Sequence, residues 1–101
     1  MALWERVRGL PPPTPHVRAL QVAERGVAIY WRPGCGYCAM LGARVRKHAG
    51  RAAWVNIWED EAGAAYVRDV NGGSETVPTV VIHGVPYTNP SPALVKAALT
   101  D

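Results

Sequence analysis

The stretch VAIYWRPGCGYC, residues 27–38, decides the fold class of this chain. Its opening segment, Val27 to Trp31, is rich in β-branched and aromatic residues, which is typical of a buried strand. The turn residues Arg32-Pro33-Gly34 end the strand, and two cysteines follow directly. From Tyr37 to His48, apolar and basic residues recur in a pattern that suits an amphipathic helix. The sequence therefore predicts a strand that leads into a helix, with Cys35 at the helix N-terminus.

Strand and helix signals continue on both sides of this stretch. The further predicted elements are a helix from Thr14-Pro15 to Gly26, a strand at 53–58, a helix at 59–70, strands at 79–83 and 85–88 joined tightly about Gly84, and a helix from Ser91-Pro92 to Leu99. A βαβ unit followed by ββα predicts an α/β domain with a four-stranded mixed sheet, helices on both faces and an extra N-terminal helix. The cysteines would lie at the C-terminal edge of that sheet, where such folds place their sites.

The length of 101 residues and the 49% apolar composition allow one packed core. We expect residues 1–26 to form an N-terminal arm and a short helix, and residues 27–101 to form the main domain. The proline run Pro11-Pro12-Pro13 favours extended structure, so the arm is expected to be loosely attached.

Composition and charge exclude several classes of protein. The longest apolar run, Val27 to Trp31, is far shorter than a membrane span, and the first residues carry charge where a signal peptide is apolar. We therefore expect a cytoplasmic protein without membrane contact. The net charge is +3, but the Lys and Arg residues form no dense tract, and the chain contains no known nucleic-acid-binding motif. Nucleic acid is therefore not an expected partner. We expect a monomer. The basic residues of 26–58 are a solvated helix face or a surface that attracts anionic partners.

The C-x-x-C spacing is typical of redox chemistry, since only a thiolate attacks a disulfide. Cys35 would lie beside the free N–H groups of a helix start, at the positive end of the helix dipole, with Arg32 upstream. These features would stabilise its thiolate, so Cys35 is the predicted nucleophile. Cys38, one turn later on the apolar face, is the predicted resolving thiol.

Three other interpretations of the cysteine pair remain open. Half of a zinc site would need two more ligands, for which only His16, His48 and His83 are available, and we assign no metal site. An iron–sulfur cluster would need thiolates from a second chain or a bound small thiol. Two buried, inert cysteines are the third interpretation, although the flanking glycines disfavour burial.

A proline at the start of a strand is the second notable feature. Pro78 has no backbone N–H, so it removes one hydrogen-bond donor from the β-sheet ladder. A cis bond there would leave the N–H and C=O of Val77 free for an extended ligand.

Four segments together resemble the glutaredoxin family, and most closely its mycoredoxin branch: Cys35-Gly36-Tyr37-Cys38, Asn71-Gly72-Gly73, Thr76-Val77-Pro78-Thr79-Val80 and Thr88-Asn89-Pro90-Ser91. The resemblance runs from Val27 to Leu99.

The resemblance implies a thioredoxin-like fold in which Pro78 is a cis-proline beside the cysteines. It implies that the backbone of Val77 hydrogen-bonds the peptide portion of a bound thiol, and it places Thr88, Asn89 and Ser91 near the small-thiol groove. Tyr37 either lines that groove or covers the core. The expected binding residues are Arg32, Tyr37, Thr76, Val77, Pro78, Thr88, Asn89 and Ser91.

The resemblance further implies reduction of protein mixed disulfides with a small-thiol co-substrate, mycothiol in preference to glutathione, and no tightly bound cofactor. Gly36 replaces the usual proline of the family, and Thr88-Asn89-Pro90 replaces its Gly-Gly-Asp pattern. Glu75 stands where many glutathione-binding relatives have a basic residue, which leaves recognition of a carboxylate there in question. Arg32 would partly supply this recognition. The alternatives are a dithiol electron donor reduced by a flavoprotein disulfide reductase, and an iron–sulfur cluster-binding module. The expected protein partners carry disulfides or mixed disulfides.

Overall fold

The computed structural model describes residues 10–100, so the first nine residues of the predicted arm lie outside the described part. The elements along the chain are helix α1 (His16–Ala23), strand β1 (Val27–Trp31), helix α2 (Gly36–Arg44), a 3₁₀ helix (Arg46–Arg51), strand β2 (Ala52–Asn56), helix α3 (Glu61–Val70), strands β3 (Thr79–Ile82) and β4 (Val85–Thr88), and helix α4 (Pro92–Thr100). No helix among residues 10–100 is long and apolar enough to cross a membrane.

The strands form one mixed sheet in the order β2-β1-β3-β4. Strand β1 runs parallel to β2, with Ile29 opposite Trp54, and antiparallel to β3, with Ile29 opposite Val80. Strand β4 pairs antiparallel with β3 at the far edge. The prediction of an α/β fold with a four-stranded mixed sheet, flanking helices and an N-terminal helix is confirmed.

The core lies along β1 and β2, which are buried over their whole lengths. Burial on both faces explains why β1, and β2 up to its last residue Asn56, are apolar runs rather than alternating ones. Helix α1 contacts both strands and buries Ala19 and Ala23 completely. Before it, the N–H of Thr14 donates to the carbonyl oxygen of Trp54 over 2.8 Å, and Leu10 packs against the core. Residues 10–23 are thus joined to the sheet, while the domain boundary at residue 26 stays a prediction.

The helix predicted from Tyr37 to His48 is shorter than expected. Helix α2 ends at Arg44, and the chain then winds more tightly as the 3₁₀ helix. This winding keeps both Val45 and Ala49 buried. It also lets the carbonyl oxygen of Ala49 accept a 2.9 Å hydrogen bond from the indole N–H of the buried Trp54.

The segment after β2 leaves the sheet earlier than predicted. The strand ends at Asn56, whose side-chain oxygen accepts a 3.0 Å hydrogen bond from the N–H of Trp58 and thereby turns the chain outward. The side chain of Trp58 is 63% exposed as a result, whereas Trp54 is in the core. Helix α3 then begins at Glu61, because Asp60 accepts from the N–H of Gly63 as its N-cap.

The expected hairpin also differs in detail. The β3–β4 hairpin turns through two residues, His83 (φ 49°) and Gly84 (φ 82°), rather than through Gly84 alone, which matches the twist that two-residue hairpins require. His16 contacts two aromatic side chains. Its Nδ1 lies 2.8 Å from the hydroxyl of Tyr30, and its ring also packs against Tyr66.

Candidate functional site

Cys35 is the N-cap residue of helix α2. Its backbone is extended, with φ −90° and ψ 113°, and its Sγ accepts a 3.2 Å hydrogen bond from the N–H of Cys38. Gly34 precedes it at φ 78°, a left-handed conformation that suits glycine and turns the chain out of β1 into the helix. A half-buried sulfur at a helix start therefore receives a backbone N–H.

Cys38 lies one helical turn further on and is only 6% exposed. Burial raises the pKa of its thiol to about 12, and the hydrogen bond with Cys35 acts in the same direction. A backbone hydrogen bond with Arg32 opposes the rise. Both cysteines are free thiols in the structure. Cys35 is thus the accessible sulfur, and Cys38 is a protonated thiol behind it, which is the arrangement predicted from the sequence.

The Thr76-Val77-Pro78 segment meets the cysteines from across the sheet edge. The Val77–Pro78 peptide bond is cis, as the family resemblance implied. The thiol of Cys35 donates to the carbonyl oxygen of Val77 over 3.5 Å. The structure therefore brings Cys35, Cys38 and Val77 together as one site.

The other expected binding residues occupy different positions around this site. The N–H of Asn89 donates to the carbonyl oxygen of Pro78 over 2.7 Å, while the hydroxyl of Thr88 donates to the side chain of Asn71. Ser91 instead caps α4, its Oγ accepting from the N–H of Leu94. Asn89 is therefore connected to the site through Pro78, and Thr88 is connected to it through Asn71. Ser91 has a helix-capping role.

Arg32 and Tyr37 flank the two cysteines. Arg32 is half-buried and contacts Cys38 through its backbone. Tyr37 lies in the first turn of α2 and is 61% exposed. Its ring is therefore available at the surface beside Cys35 rather than covering the core.

Asn71 is a residue that sequence reasoning did not assign to the site. The sequence placed it just after helix α3 and in one of the segments that resemble the family, without a role in binding, yet its side chain is hydrogen-bonded to Val67, Thr79 and Thr88. The signal that could have found it is an amide side chain, which both donates and accepts, directly after a helix and shortly before the Thr-Val-Pro segment.

The charge beside the Thr76-Val77-Pro78 segment is set by an exposed ion-pair network. Arg68 on α3 pairs with Glu75, which directly precedes this segment, and with Glu61 at 3.4 Å. Hydrogen bonds to these two carboxylates raise the pKa of Arg68. Because two carboxylates surround one guanidinium, this side of the site carries an excess of negative charge.

The residues described do not form a metal site. Among residues 10–100, no group of three or more His, Cys, Asp or Glu side chains could hold a metal ion. His16 is engaged with Tyr30.

Comparison with known proteins gives matches over this same region. The family model described as Glutaredoxin matches residues 27–86, which include both cysteines and Pro78. Two proteins from two strains of Mycobacterium tuberculosis, both named as candidate glutaredoxins, are each 43% identical over 76 residues. The match covers 72% of this chain and 88% of each of those proteins.

Solved structures match in fold. A mutant of the thioredoxin-like protein BC3987 has a TM-score of 0.55 at 20% identity, over 72% of this chain and 97% of the other. A thioredoxin from Malassezia sympodialis has a TM-score of 0.54 at 20% identity, over 90% of this chain and 92% of the other. At this level of identity the likeness concerns the fold alone, and it is the thioredoxin-like fold.

Proposed function

The chain belongs to the glutaredoxin family, and from this premise we propose that it reduces mixed disulfides between proteins and a small thiol. Membership supports a thiol oxidoreductase in general. The observation that carries the finer proposal is the arrangement of Cys35, at a helix start and 3.5 Å from the carbonyl oxygen of Val77, with Cys38 buried behind it. A half-buried sulfur beside the backbone of the Thr76-Val77-Pro78 segment suits a substrate that presents a disulfide in an extended segment.

The exchange begins at Cys35. Its thiolate attacks the small-thiol sulfur of the mixed disulfide, a new S–S bond joins Cys35 to the small thiol, and the old S–S bond breaks. The target protein's sulfur leaves with the electron pair and takes up a proton. A second molecule of small thiol then attacks the sulfur bound to Cys35, which releases Cys35 and the oxidised small thiol.

The chain's own groups assist these steps. The N–H of Cys38 donates to the Cys35 sulfur, so it stabilises the negative charge on Cys35 both before attack and on leaving. The carbonyl oxygen of Val77 holds the Cys35 thiol beside the Thr76-Val77-Pro78 segment when the enzyme is at rest. The raised pKa of Cys38 keeps this second thiol protonated, so it does not compete as the first nucleophile.

We propose mycothiol as the preferred small thiol, in keeping with a mycoredoxin-like member of the family. Glutathione carries free carboxylates and mycothiol carries none. The excess negative charge of Glu75 and Glu61 around Arg68 therefore disfavours glutathione beside Thr76. The exposed Thr88 and Asn89 supply polar groups that suit a hydroxyl-rich ligand.

A kinetic comparison tests this proposal. One target protein is prepared as its mixed disulfide with mycothiol and, in parallel, with glutathione, and each is reduced by this enzyme with the matching small thiol. We expect the mycothiol form to react faster. Equal rates would reject the preference for mycothiol while leaving oxidoreductase activity intact, and failure to reduce either form would reject the proposed function.

A second candidate is a dithiol electron donor that a flavoprotein disulfide reductase reduces. The observation that favours it is the short approach of the two cysteines, since the N–H of Cys38 lies 3.2 Å from the Cys35 sulfur and both thiols are free. In that reaction Cys38 attacks the sulfur of a Cys35 mixed disulfide, and an internal disulfide forms as the reduced target leaves.

A further inference from the structure

One side chain joins three elements behind the Thr76-Val77-Pro78 segment. Asn71 follows the last residue of α3, and its Nδ2 donates to the carbonyl oxygen of Val67 over 2.8 Å and to the hydroxyl of Thr79 over 3.0 Å. Its Oδ1 accepts from the hydroxyl of Thr88. The end of α3, the start of β3 and the end of β4 therefore meet at a single amide.

The orientation of this amide is fixed by its partners. Thr79 is completely buried, and its hydroxyl donates its one proton to the carbonyl oxygen of Thr76 over 2.8 Å. It must therefore accept from Asn71, and only the NH₂ group of the amide can donate. The remaining amide oxygen then faces Thr88, which donates to it. A carboxylate at position 71 would satisfy Thr88 but would leave Thr79 without a donor.

These bonds hold both ends of the segment that faces Cys35. The carbonyl oxygen of Thr76 is held by Thr79, and that of Pro78 is held by the N–H of Asn89 over 2.7 Å. Between them, the carbonyl oxygen of Val77 points to the Cys35 thiol at 3.5 Å. The position of the Val77 backbone relative to Cys35 thus depends on Thr79 and on the end of β4, and both are bonded to Asn71.

We infer that Asn71 is a positioning residue for disulfide exchange, which fixes the Val77 backbone edge and the Thr88-Asn89 corner in one arrangement so that a mixed disulfide docks in line with Cys35. The inference rests on the proposed function and deepens it. Asn71 does not act on the sulfur itself, since its contacts run to Val67, Thr79 and Thr88. Small displacements of a docking edge reduce the rate of a reaction that needs aligned atoms.

The test separates docking from the reactivity of Cys35. We measure KM and kcat of Asn71→Ala and Asn71→Asp with a peptide mixed disulfide, and the rate at which iodoacetamide alkylates Cys35. We expect KM to rise about tenfold in both variants, because each loses the donor to Thr79, while the alkylation rate stays within about twofold of wild type. Iodoacetamide reacts with the thiol without binding to the Val77 backbone, so the alkylation rate reports on the reactivity of Cys35 alone.

Two variants of Thr79 carry the same test by another route. Thr79→Ser keeps the hydroxyl and should keep the wild-type KM, whereas Thr79→Val loses it and should match Asn71→Ala. The double variant Asn71→Ala/Thr79→Val should show a KM no higher than the single variants, because both act on the same bond. This pair decides the question should Asn71→Ala fail to fold.

Asp60→Ala is the matched control for lost stability. It removes the N-cap at the opposite end of α3, where Asp60 accepts from the N–H groups of Gly63 and His16, and it leaves the Val77 segment untouched. We expect its KM to be that of wild type. An unchanged KM in Asn71→Ala, or an equal rise in Asp60→Ala at equal loss of stability, would overturn the inference alone. A wild-type protein that reduces no mixed disulfide would overturn the proposed function and the inference with it.

Discussion

The thiol of Cys35 lies 3.5 Å from the carbonyl oxygen of Val77, although 42 positions separate the two residues in the chain. This contact joins the start of α2 to the segment before β3. It exists because β1 and β3 are neighbours in the sheet, so the end of one and the start of the other share an edge. The Cys35 sulfur and the Val77 backbone are thereby placed side by side, and several consequences of the proposed exchange can be measured.

Replacement of each cysteine by serine should separate the two thiols by role. Cys35→Ser removes the nucleophile, so reduction of a mixed disulfide should fall to the uncatalysed rate. Cys38→Ser should keep this activity within about tenfold, since a second small thiol can complete the cycle at Cys35. Turnover with a small-thiol mixed disulfide, followed by release of the target thiol, measures both.

The same pair of variants decides between the two candidate functions. A dithiol donor needs Cys38 to form the internal disulfide, so loss of all activity in Cys38→Ser would contradict the small-thiol mechanism and support the dithiol one. The internal disulfide would then be seen in wild type after one turnover, as the loss of two alkylatable thiols.

The reduced protein should lose stability at alkaline pH. Burial raises the pKa of Cys38 from an ordinary 9.0 to about 12, so between these values the unfolded chain has released this proton while the folded one keeps it. The unfolded state then binds fewer protons, and the free energy of unfolding falls as pH rises through this window, with the contribution fully present below pH 9.

Denaturant unfolding of the reduced protein at pH 8, 9 and 10 measures this loss. Cys38→Ala removes the thiol and should show a smaller decrease over the same range. Tyr30 and Tyr66, whose pKa values are also raised by burial, contribute equally to both proteins and cancel in the comparison. A decrease of the same size in both proteins would exclude Cys38 as a source of the pH dependence.

Local signals in the sequence were sufficient for most of the fold. The apolar run Val27 to Trp31, the glycine stops and the pairs Thr14-Pro15 and Ser91-Pro92 depend on neighbouring residues alone, and the structure places strands and helices there. Of the two pairs, only Ser91 caps its helix, because α1 begins after Pro15 without a side-chain cap. The family resemblance supplied the cis bond at Pro78, and the placement of Cys35 at a helix start came from the turn that precedes it.

What the sequence did not predict depends on contacts between distant residues. The outward turn at Trp58 needs the side chain of Asn56 to bond a backbone N–H, and the early end of α2 coincides with the contact between Ala49 and Trp54. The role of Asn71 is of the same kind, because its partners Thr79 and Thr88 come from two strands whose pairing had first to be known.

Packing of α3 on the sheet predicts a strong effect at one glycine. A Cβ at Gly63 would lie 2.7 Å from Cγ1 of the buried Val55, which is closer than van der Waals contact allows. Gly63→Ala should therefore destabilise the protein by about 1–3 kcal/mol, despite the better helix propensity of alanine. Gly50→Ala is the matched control, since no atom lies within 4 Å of its Cβ position, and it should be close to neutral. Thermal unfolding of the two variants checks the contrast, and equal midpoints would show that α3 moves away without cost.

Charge beside the docking edge should govern which small thiol is accepted. Glu75 directly precedes Thr76 and pairs with Arg68, which also pairs with Glu61. Glu75→Gln removes one negative charge there and leaves Arg68 with one carboxylate partner instead of two, so KM for a glutathione mixed disulfide should fall about two- to fivefold, the range of an exposed ion pair. KM for the mycothiol form should not change, because mycothiol has no carboxylate.

Glu61→Gln is the control, since it removes the same charge further from the Thr76-Val77-Pro78 segment and should have a smaller effect on KM. Added salt should reduce the difference between wild type and Glu75→Gln, because the charges involved are exposed. If Glu75→Gln lowers KM for both thiols alike, charge selection at this edge is contradicted, and the preference must come from the Thr88-Asn89 corner instead.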